Sequence, residues 1–281
     1  MMNDAEEKFI VYVERMPAFP KSVHKVIQLA ADVDSSAKDI VAVIESDPIM
    51  TVKILKVINS AFYSLPQKIT SIQRALVHIG MNTIKNLALS VAAIGILNPN
   101  NKADFDTGLF LQHSLAVAVL SKKLGERMGV PLMQSSDYFV AGLLHDFGKI
   151  VFAEFMASEF KQALKQSKEQ QIDLHLAELE FIGISHAQAG RMLALKWELA
   201  GNLANAIDLH HSVAQGDLLV DCVFTANQIA KKCQIGNAGN SVIDALPTEL
   251  VSTFGMPLDE LIASLGDMSL IKSEVQQLMQ A

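Results

Sequence analysis

Residues 139–149 read Phe-Val-Ala-Gly-Leu-Leu-His-Asp-Phe-Gly-Lys, an apolar run that ends in an adjacent imidazole and carboxylate, His145 and Asp146. The spacing predicts a helix through Tyr138–Leu144 that ends in the protein interior. A carboxylate at such a helix end is costly unless a cation, hydrogen-bond donors or a metal ion compensates its charge. We therefore expect a partner of this kind next to Asp146.

The rest of the chain is also predicted to be helical. Apolar residues recur at helical spacing through most of the 281 residues, and no alternating pattern of convincing length predicts a strand. Half of the residues are hydrophobic, which is enough for a large core. The 15 glycines and 8 prolines are few for a many-turned β architecture. We therefore predict an all-α fold, a two-lobed multi-helix bundle.

A break at Asn98-Pro99-Asn100-Asn101 separates the two predicted lobes. We expect residues 1–100 to form an N-terminal helical lobe and residues 101–235 to form a second lobe that contains His145 and Asp146. Residues 236–281 are expected to form a C-terminal helical extension, after a loop at Gly236–Asn240. The packing of this extension and the oligomeric state are left open by the sequence.

Polar caps and glycines mark the ends of several predicted helices. The expected caps are Ser71, Ser135-Ser136-Asp137 and Ser185, and Gly80 is the expected stop of the helix that Ser71 begins. Glu159–Leu179 is expected as one polar helical stretch and Leu258–Met279 as one or two helices. A further apolar stripe follows Asp47-Pro48 and comprises Ile49, Val52, Ile54, Leu55 and Ile58.

Charge and cysteine content narrow the function classes. The net charge is −7 and no concentrated basic patch occurs, so we expect no nucleic-acid partner. Two cysteines, Cys222 and Cys233, suit a reducing compartment. Met1–Ile10 is acidic and unlike a signal peptide, and the apolar stretch Leu87–Leu97 is shorter than the ~20 residues of a bilayer span. We expect a cytoplasmic protein without a membrane span.

Several catalytic motifs are excluded by their spacing. Five residues separate Gly142 from Gly148, and Ile150 follows Lys149. A phosphate-binding loop has four residues between these glycines and a Ser or Thr after the lysine. The chain has no Gly-x-Ser-x-Gly sequence, and neither cysteine is close in sequence to a histidine. A serine or cysteine nucleophile therefore has little support.

The histidines are more informative. Six of the eight fall within residues 113–211: His113, His145, His175, His186, His210 and His211. Imidazoles from several helices, together with the Asp146 carboxylate, are the components of a metal site in a helical bundle. His175 lies in a polar helix, and His24 and His78 lie in the other lobe, so we interpret these three as ordinary core or surface histidines.

The motif Leu144-His145-Asp146-Phe147-Gly148-Lys149, with His113 upstream and His186 and His210-His211 downstream, resembles the HD superfamily of metal-dependent phosphohydrolases. The order and spacing are most similar to the branch that hydrolyses cyclic dinucleotides. The N-terminal lobe resembles the HDOD domain more narrowly. These matches run in order over residues 13–213 and comprise Pro17-Ala-Phe-Pro20, Ser46-Asp47-Pro48, Lys53-Ile-Leu55, Asn59-Ser60-Ala61 and Ile69-Thr-Ser71-Ile72 with Ala75, Ile79 and Gly80.

The HDOD resemblance implies an all-helical module for signal transduction or regulation in bacteria, often without demonstrated catalysis. It also implies a divalent metal (Fe, Mn, Ni, Zn or Mg) and no other cofactor. The implied ligands are His113, His145, Asp146, His186, His210 and His211, with Asn227 as a weak one. If the protein is an enzyme, the resemblance implies catalytic roles for Asp146 and for Lys149, which would offset phosphate charge; a surface position for Lys149 is the alternative.

Two departures from the catalytic branch bear on function. Asn227 stands where that branch places a final metal-ligating Asp, and Ser212-Val-Ala-Gln-Gly216 replaces its Gly-Tyr-Pro element. An amide oxygen brings no negative charge to a divalent cation. We therefore favour a non-catalytic module that binds a protein partner or a small phosphorylated messenger. The alternative is a metal-dependent phosphohydrolase acting on a nucleotide or cyclic dinucleotide phosphoester.

Overall fold

The structure, a computed structural model, describes residues 4–32, 35–60, 63, 67–212 and 216–280. Within these ranges the chain forms helices and no strand, so the predicted all-α class is confirmed. Ala61 and residues 213–215, which carry part of the HDOD resemblance and part of the departure after His211, lie outside the described residues. No helix in the described ranges combines the length and apolar character needed to cross a membrane.

The first helices have the following bounds: α1 Asp4–Arg15, α2 Lys21–Ala31, α3 Ala37–Glu45, α4 Pro48–Ile58 and α5 Ile72–Gly95. Ser71 caps α5 as predicted, since its side chain accepts a hydrogen bond from the backbone N–H of Arg74. Gly80 interrupts α5 with φ 76° and ψ 166°, which a residue with a side chain rarely adopts. The helix predicted to stop at Gly80 therefore does so, and a second one continues directly.

The remaining helices are α6 Thr107–Arg127, α7 Leu132–Leu144, α8 Gly148–Phe155, α9 Ala157–Gln170, α10 Leu174–Phe181, α11 His186–Lys196, α12 Gly201–Leu209, α13 Leu218–Lys232, α14 Thr248–Phe254, α15 Leu258–Ser264 and α16 Met268–Met279. Ser185 caps α11 in a reciprocal pair with Gln188, as predicted. Leu258–Met279 forms two helices, and the predicted loop at Gly236–Asn240 is present. α14 was not predicted.

Three local predictions are wrong. α7 begins after Pro131, so Ser135-Ser136-Asp137 lies inside the helix rather than capping it. Glu159–Leu179 is broken between α9 and α10, because Gln171 adopts a left-handed conformation with φ 54°. In α4 the predicted apolar stripe is only partly buried, since Ile49 is 72% and Val52 54% exposed.

The centre of the molecule is α6, which is buried along almost its whole length and packs against α7, α13 and α16. α7 comes close to α6 at Gly142, where an added Cβ would lie 2.7 Å from the Val117 carbonyl oxygen. This close approach brings the end of α7, with His145, beside His113 of α6. The central helix pair thus determines where the His-Asp motif lies.

The N-terminal segment crosses onto the second predicted lobe. α1 packs against α8 and α11, and the Lys196 ammonium donates to the carbonyl oxygens of Val13, Glu14 and Met16. Phe19 stacks on Trp197 with ring centroids 4.4 Å apart. Residues 4–19 therefore contact helices beyond the Asn98–Asn101 break.

The C-terminal extension packs on the body of the protein. α16 lies along α6, where Ile271, Val275 and Leu278 are buried. Lys123 of α6 forms an ion pair of 3.4 Å with Glu274 of α16. The extension is thus held by both apolar burial and charge.

Candidate metal centre

Six side chains from four helices and the segments next to them converge in the interior. His113 lies in the middle of α6, His145 and Asp146 follow α7, His186 is the first residue of α11, and His210 and His211 follow α12. Two overlapping groups have their potential ligand atoms within 4.8 Å of one another: Asp146, His186, His210 and His211, and His113, His145 and Asp146. The structure thus brings together six of the seven predicted metal-site residues.

The Asp146 carboxylate is the centre of this cluster. Its Oδ1 atom lies 3.0 Å from His186 Nε2 and 3.6 Å from His210 Nε2. Its Oδ2 atom lies 3.3 Å from His145 Nε2 and 3.8 Å from His113 Nε2. All five side chains are buried, so these contacts are shielded from water. Four imidazoles thus direct the same ring nitrogen at one carboxylate.

The hydrogen bonds on the far side of the rings fix which nitrogen carries the proton. His145 Nδ1 lies 2.7 Å from the Gly142 carbonyl oxygen, and His210 Nδ1 lies 2.6 Å from that of Ile207. A carbonyl oxygen only accepts, so each Nδ1 donates. In the neutral ring Nε2 then carries no proton and can bind a metal.

Glu178 of α10 orients His186 and was not identified from the sequence. Its Oε2 atom lies 2.6 Å from His186 Nδ1 and accepts from the His186 backbone N–H at 2.7 Å. Burial disfavours the charged ring, but the Glu178 and Asp146 carboxylates outweigh burial and raise the pKa of His186. A carboxylate behind a histidine is a common feature of metal sites.

The cluster leaves acceptor atoms facing one another. His186 Nε2 lies 2.8 Å from His211 Nε2 and 3.3 Å from His210 Nε2. Asp146 Oδ1 and His145 Nε2 are buried without a hydrogen-bond partner among the described residues. Burial lowers the pKa of His113 and His210 to about 3, so both rings are neutral near pH 7. A proton on His186 or a metal ion among these atoms is needed to offset the repulsion, and the donor set therefore fits a metal.

Lys149 is not a surface residue. Only 2% of it is exposed, and its ammonium donates to Asp146 Oδ2 at 2.7 Å and to the Ala238 carbonyl oxygen at 3.0 Å. Burial by itself would raise the pKa of Asp146, but its interactions with His145 and Lys149 hold this pKa well below its ordinary value. The surface alternative for Lys149 is therefore wrong, and the ammonium is the partner expected for Asp146.

The remaining residues considered from the sequence are Asn227 and three histidines. Asn227 is buried on α13 and takes no part in the contacts described above. His175, interpreted as an ordinary histidine, stacks on His211 with ring centroids 4.2 Å apart, so it covers one side of the cluster. His24 and His78 belong to α2 and α5, in the predicted N-terminal lobe.

A comparison with protein families gives a match to the HDOD domain over residues 16–213, which is well over half of the chain. The chain belongs to the HDOD family. The match covers all six clustered residues, from His113 to His211, and it includes the His145-Asp146 pair at the centre. The resemblance seen in the sequence is thereby confirmed.

Solved structures share the fold of this chain, and one curated protein matches it in sequence. The chain is similar to an HDOD domain protein of unknown function from Geobacter sulfurreducens, with TM-score 0.78 and 24% identity, over 97% of this chain and 99% of that one. A candidate phosphohydrolase from Shewanella amazonensis gives TM-score 0.74 and 22% identity, over 96% and 97% of the two chains. An uncharacterized protein of Treponema pallidum is 24% identical over 86% of this chain. The chain spans about half the length of that curated relative, since the match covers 46% of it.

Proposed function

We propose that this HDOD protein is a regulatory module that holds a divalent metal ion at its His-Asp cluster and acts by binding a partner or messenger rather than by turnover. One observation carries the metal: the Nε2 atoms of His145, His186 and His210 converge on a single buried carboxylate, Asp146, and in the neutral rings of His145 and His210 that nitrogen carries no proton. The family membership supports the regulatory role, and the burial of the cluster supports the lack of turnover.

The ion would be held by His113, His145, Asp146, His186, His210 and His211. A ligand set with many imidazoles favours Fe, Ni or Zn over Mg, which prefers oxygen ligands. A bound divalent ion lowers the pKa of a coordinated water, which is the chemistry that hydrolytic relatives would use. In this chain the residues position nitrogen donors, exclude bulk water and balance the charge of Asp146 with Lys149.

Three observations support a role without turnover. Catalytic metal sites keep a coordination position open to substrate, whereas the five side chains around Asp146 are buried. The Lys149 ammonium lies on Asp146 Oδ2, where it competes with a second cation. Asn227 adds no negative charge at the position where the catalytic branch has an Asp.

Metal analysis of protein purified without a histidine tag tests this proposal. We expect about one equivalent of a divalent transition metal, and we expect Asp146→Asn to lose it, because the only carboxylate in the ligand set becomes an amide. Asp259→Asn, at an exposed position on α15, is the matched control and should keep the metal. Metal-free wild-type protein that also fails to bind Fe²⁺, Mn²⁺, Ni²⁺ or Zn²⁺ in titrations would overturn the proposal.

The alternative function is a metal-dependent phosphohydrolase. It is supported by His113, which belongs to the cluster and also lines a pocket open to solvent. Protein loaded with Mn²⁺ or Fe²⁺ should be assayed against cyclic dinucleotides and a chromogenic phosphodiester. Sustained turnover that disappears in Asp146→Asn would establish the enzyme, and its absence from metal-loaded protein favours the regulatory module.

A further inference from the structure

A pocket of about 340 Å³ lies between α6, α13 and the loop of residues 234–243. This volume is at the lower end of the range of ~300–1,000 Å³ that is typical of small-molecule sites. Its walls include His113, Lys231, Gln234, Asn237 and Ala238. Since His113 also belongs to the His-Asp cluster, the pocket adjoins the candidate metal centre.

The loop that forms one wall is held at successive positions. Gly236 has φ +70° and lies so close to α6 that an added Cβ would be 2.2 Å from the His113 backbone nitrogen. The next residue, Asn237, donates its backbone N–H to the Leu109 carbonyl oxygen at 2.9 Å. Ala238 accepts from Lys149, as described above. The wall is therefore held in place by contacts within the protein.

The far end of the loop is held by Asn240. Its side-chain amide donates to Asp173 Oδ1 at 2.7 Å, and its Oδ1 accepts from the Val242 backbone N–H at 3.1 Å. These bonds tie the loop to the segment before α10. A pocket with walls fixed in this way loses little conformational entropy when a ligand binds.

Lys231 carries the charge that faces this pocket. Its ammonium, most of it out of solvent, donates to the Val242 carbonyl oxygen at 2.6 Å. Within the described residues no carboxylate lies within ion-pair distance of it. Asp173 and Asp244 act on it from farther away, and their oxygens accept from the amides of Asn240 and Gln228. A lysine ammonium has three donors, so two remain for a ligand.

We propose that this pocket binds a small anion through a phosphate group, with the Lys231 ammonium as the charge partner and the side-chain amide of Asn237, in the same pocket wall, as a second donor. The expected coupling to metal rests on the proposed function. A divalent ion at the cluster adds positive charge to a region where Lys149 already offsets Asp146. A dianionic phosphate in the adjacent pocket would balance that charge, and the two ligands would strengthen each other's binding.

Calorimetric titration with inorganic phosphate and with AMP tests the assignment. We expect both probes to bind metal-loaded wild-type protein more tightly than chelated protein. Lys231→Gln should weaken binding at least ~10-fold, because one charge-assisted hydrogen bond is lost. Lys231→Arg keeps the charge and should stay within ~3-fold of the wild type. Lys165→Gln, at an exposed position on α9, is the control and should bind as the wild type does.

The probes also separate two sources of the phosphate group. Equal affinity for inorganic phosphate and AMP would show that the site recognises the phosphate alone. Tighter binding of AMP would show that it recognises a phosphate monoester. Either result supports the inference if Lys231→Gln weakens the binding of the probe. Binding that is unchanged in Lys231→Gln, or no binding to wild-type protein, would overturn the inference. If Lys231→Gln does not fold, phosphate-induced amide NMR shifts of the wild type replace it: shifts confined to residues 234–243 support the inference, and their absence overturns it.

Metal titration without phosphate is scored separately. Protein that binds phosphate through Lys231 but binds no metal would keep the anion site and overturn the proposed metal function. Protein that binds metal but binds neither phosphate nor AMP would keep the proposed metal function and overturn the anion site.

Discussion

The two oxygens of Asp146 have different partners, and this difference sets the properties of the cluster. Oδ2 accepts from the Lys149 ammonium, whereas Oδ1 faces the Nε2 atoms of His186 and His210. The protein thus carries its own cation on one side of the carboxylate and leaves the other side for a second one. Lys149 both stabilises the metal-free protein and opposes metal binding.

Replacing Lys149 with Met should therefore have opposite effects on the two states. The metal-free variant loses the partner of a buried carboxylate and should be less stable by ~3–5 kcal/mol. Its metal affinity should rise at least ~10-fold, since a nearby positive charge is gone. Thermal unfolding with chelator and with excess Zn²⁺ measures both effects. Lys165→Met is the control, and equal destabilisation in both conditions would contradict the prediction.

Glu178 should control the pH dependence of metal binding through His186. The raised pKa of His186 means that the metal-free cluster keeps a proton there, so metal affinity rises as the pH rises through that pKa. Glu178→Gln lowers the pKa of His186, so the rise should move to lower pH. Above both pKa values the variant should bind metal ~10–100-fold more weakly, because the ligand is less well oriented.

Metal titrations over a pH series in both proteins measure this shift. Glu180→Gln, two residues away at an exposed position where its carboxylate accepts a hydrogen bond from Gln166, is the control and should follow the wild-type profile. Profiles of Glu178→Gln and wild type that coincide would show that Glu178 does not act on His186.

The sequence predicts the members of the cluster better than it predicts their surroundings. Histidines and one aspartate at interior helix ends are recognisable because few other residues bind metals in such positions. No local sequence feature identifies Glu178, because it lies in a short helix among other acidic and apolar residues. It contacts His186 only because the chain turns between α10 and α11. The contact of Lys149 with Ala238 depends on a loop 89 residues away, which no local pattern encodes.

At the scale of helices, Gly142 determines the distance between α6 and α7. Gly142→Ala would place a methyl group 2.7 Å from the Val117 carbonyl oxygen and 2.8 Å from Ala118 Cα, so the two helices must move apart. We expect a loss of ~1–3 kcal/mol in the free energy of unfolding, as for other overpacked interiors. Metal binding should weaken as well, because His145 moves away from His113.

Urea unfolding with Gly95→Ala as the matched control checks this expectation. An added Cβ at Gly95, near the end of α5, meets no atom within 4 Å, so this variant should be neutral or slightly more stable. A Gly142→Ala variant as stable as the wild type would show that the helix pair adjusts without cost.

Helix boundaries were predictable where one residue decides them and not where two signals compete. Ser71 and Ser185 are caps because each has a free backbone N–H three residues ahead. Ser135-Ser136-Asp137 has the same composition, but Pro131 starts α7 earlier, since proline is well suited to the beginning of a helix. These polar residues instead bond to other helices, as Ser135 does to Glu126 and Asp137 to Asn86.

In the molecule as a whole, aromatic contacts through Trp197 join the N-terminal segment to the candidate metal centre. Trp197, the single tryptophan, stacks on Phe19 and makes an edge contact with Phe147, which follows Asp146 directly. The Trp197 indole also donates to the Pro17 carbonyl oxygen at 3.4 Å. Trp197 fluorescence therefore reports on the packing of this segment.

Lys196→Met should loosen α1 without unfolding the protein. It removes an ammonium that donates to three carbonyl oxygens at the end of α1, a loss of ~1.5–3 kcal/mol. We expect a changed Trp197 emission and faster proteolysis near residues 15–20. Lys168→Met, at an exposed position on α9, is the control. Emission and cleavage rates that match the wild type would show that α1 is held by its apolar face alone.

The packing of α1 on α11 also sets an order of events during synthesis. Lys196 and the backbone of residues 13–16 are about 180 positions apart, so α1 leaves the ribosome long before its binding surface exists. At ~5–20 residues per second the delay is about 10–40 s. During that time Phe9 and Val13, which are buried in the folded protein, have no native partner on α8 or α11. α1 is therefore among the last helices to reach its native packing. A nascent-chain chaperone has its longest opportunity to bind at this helix.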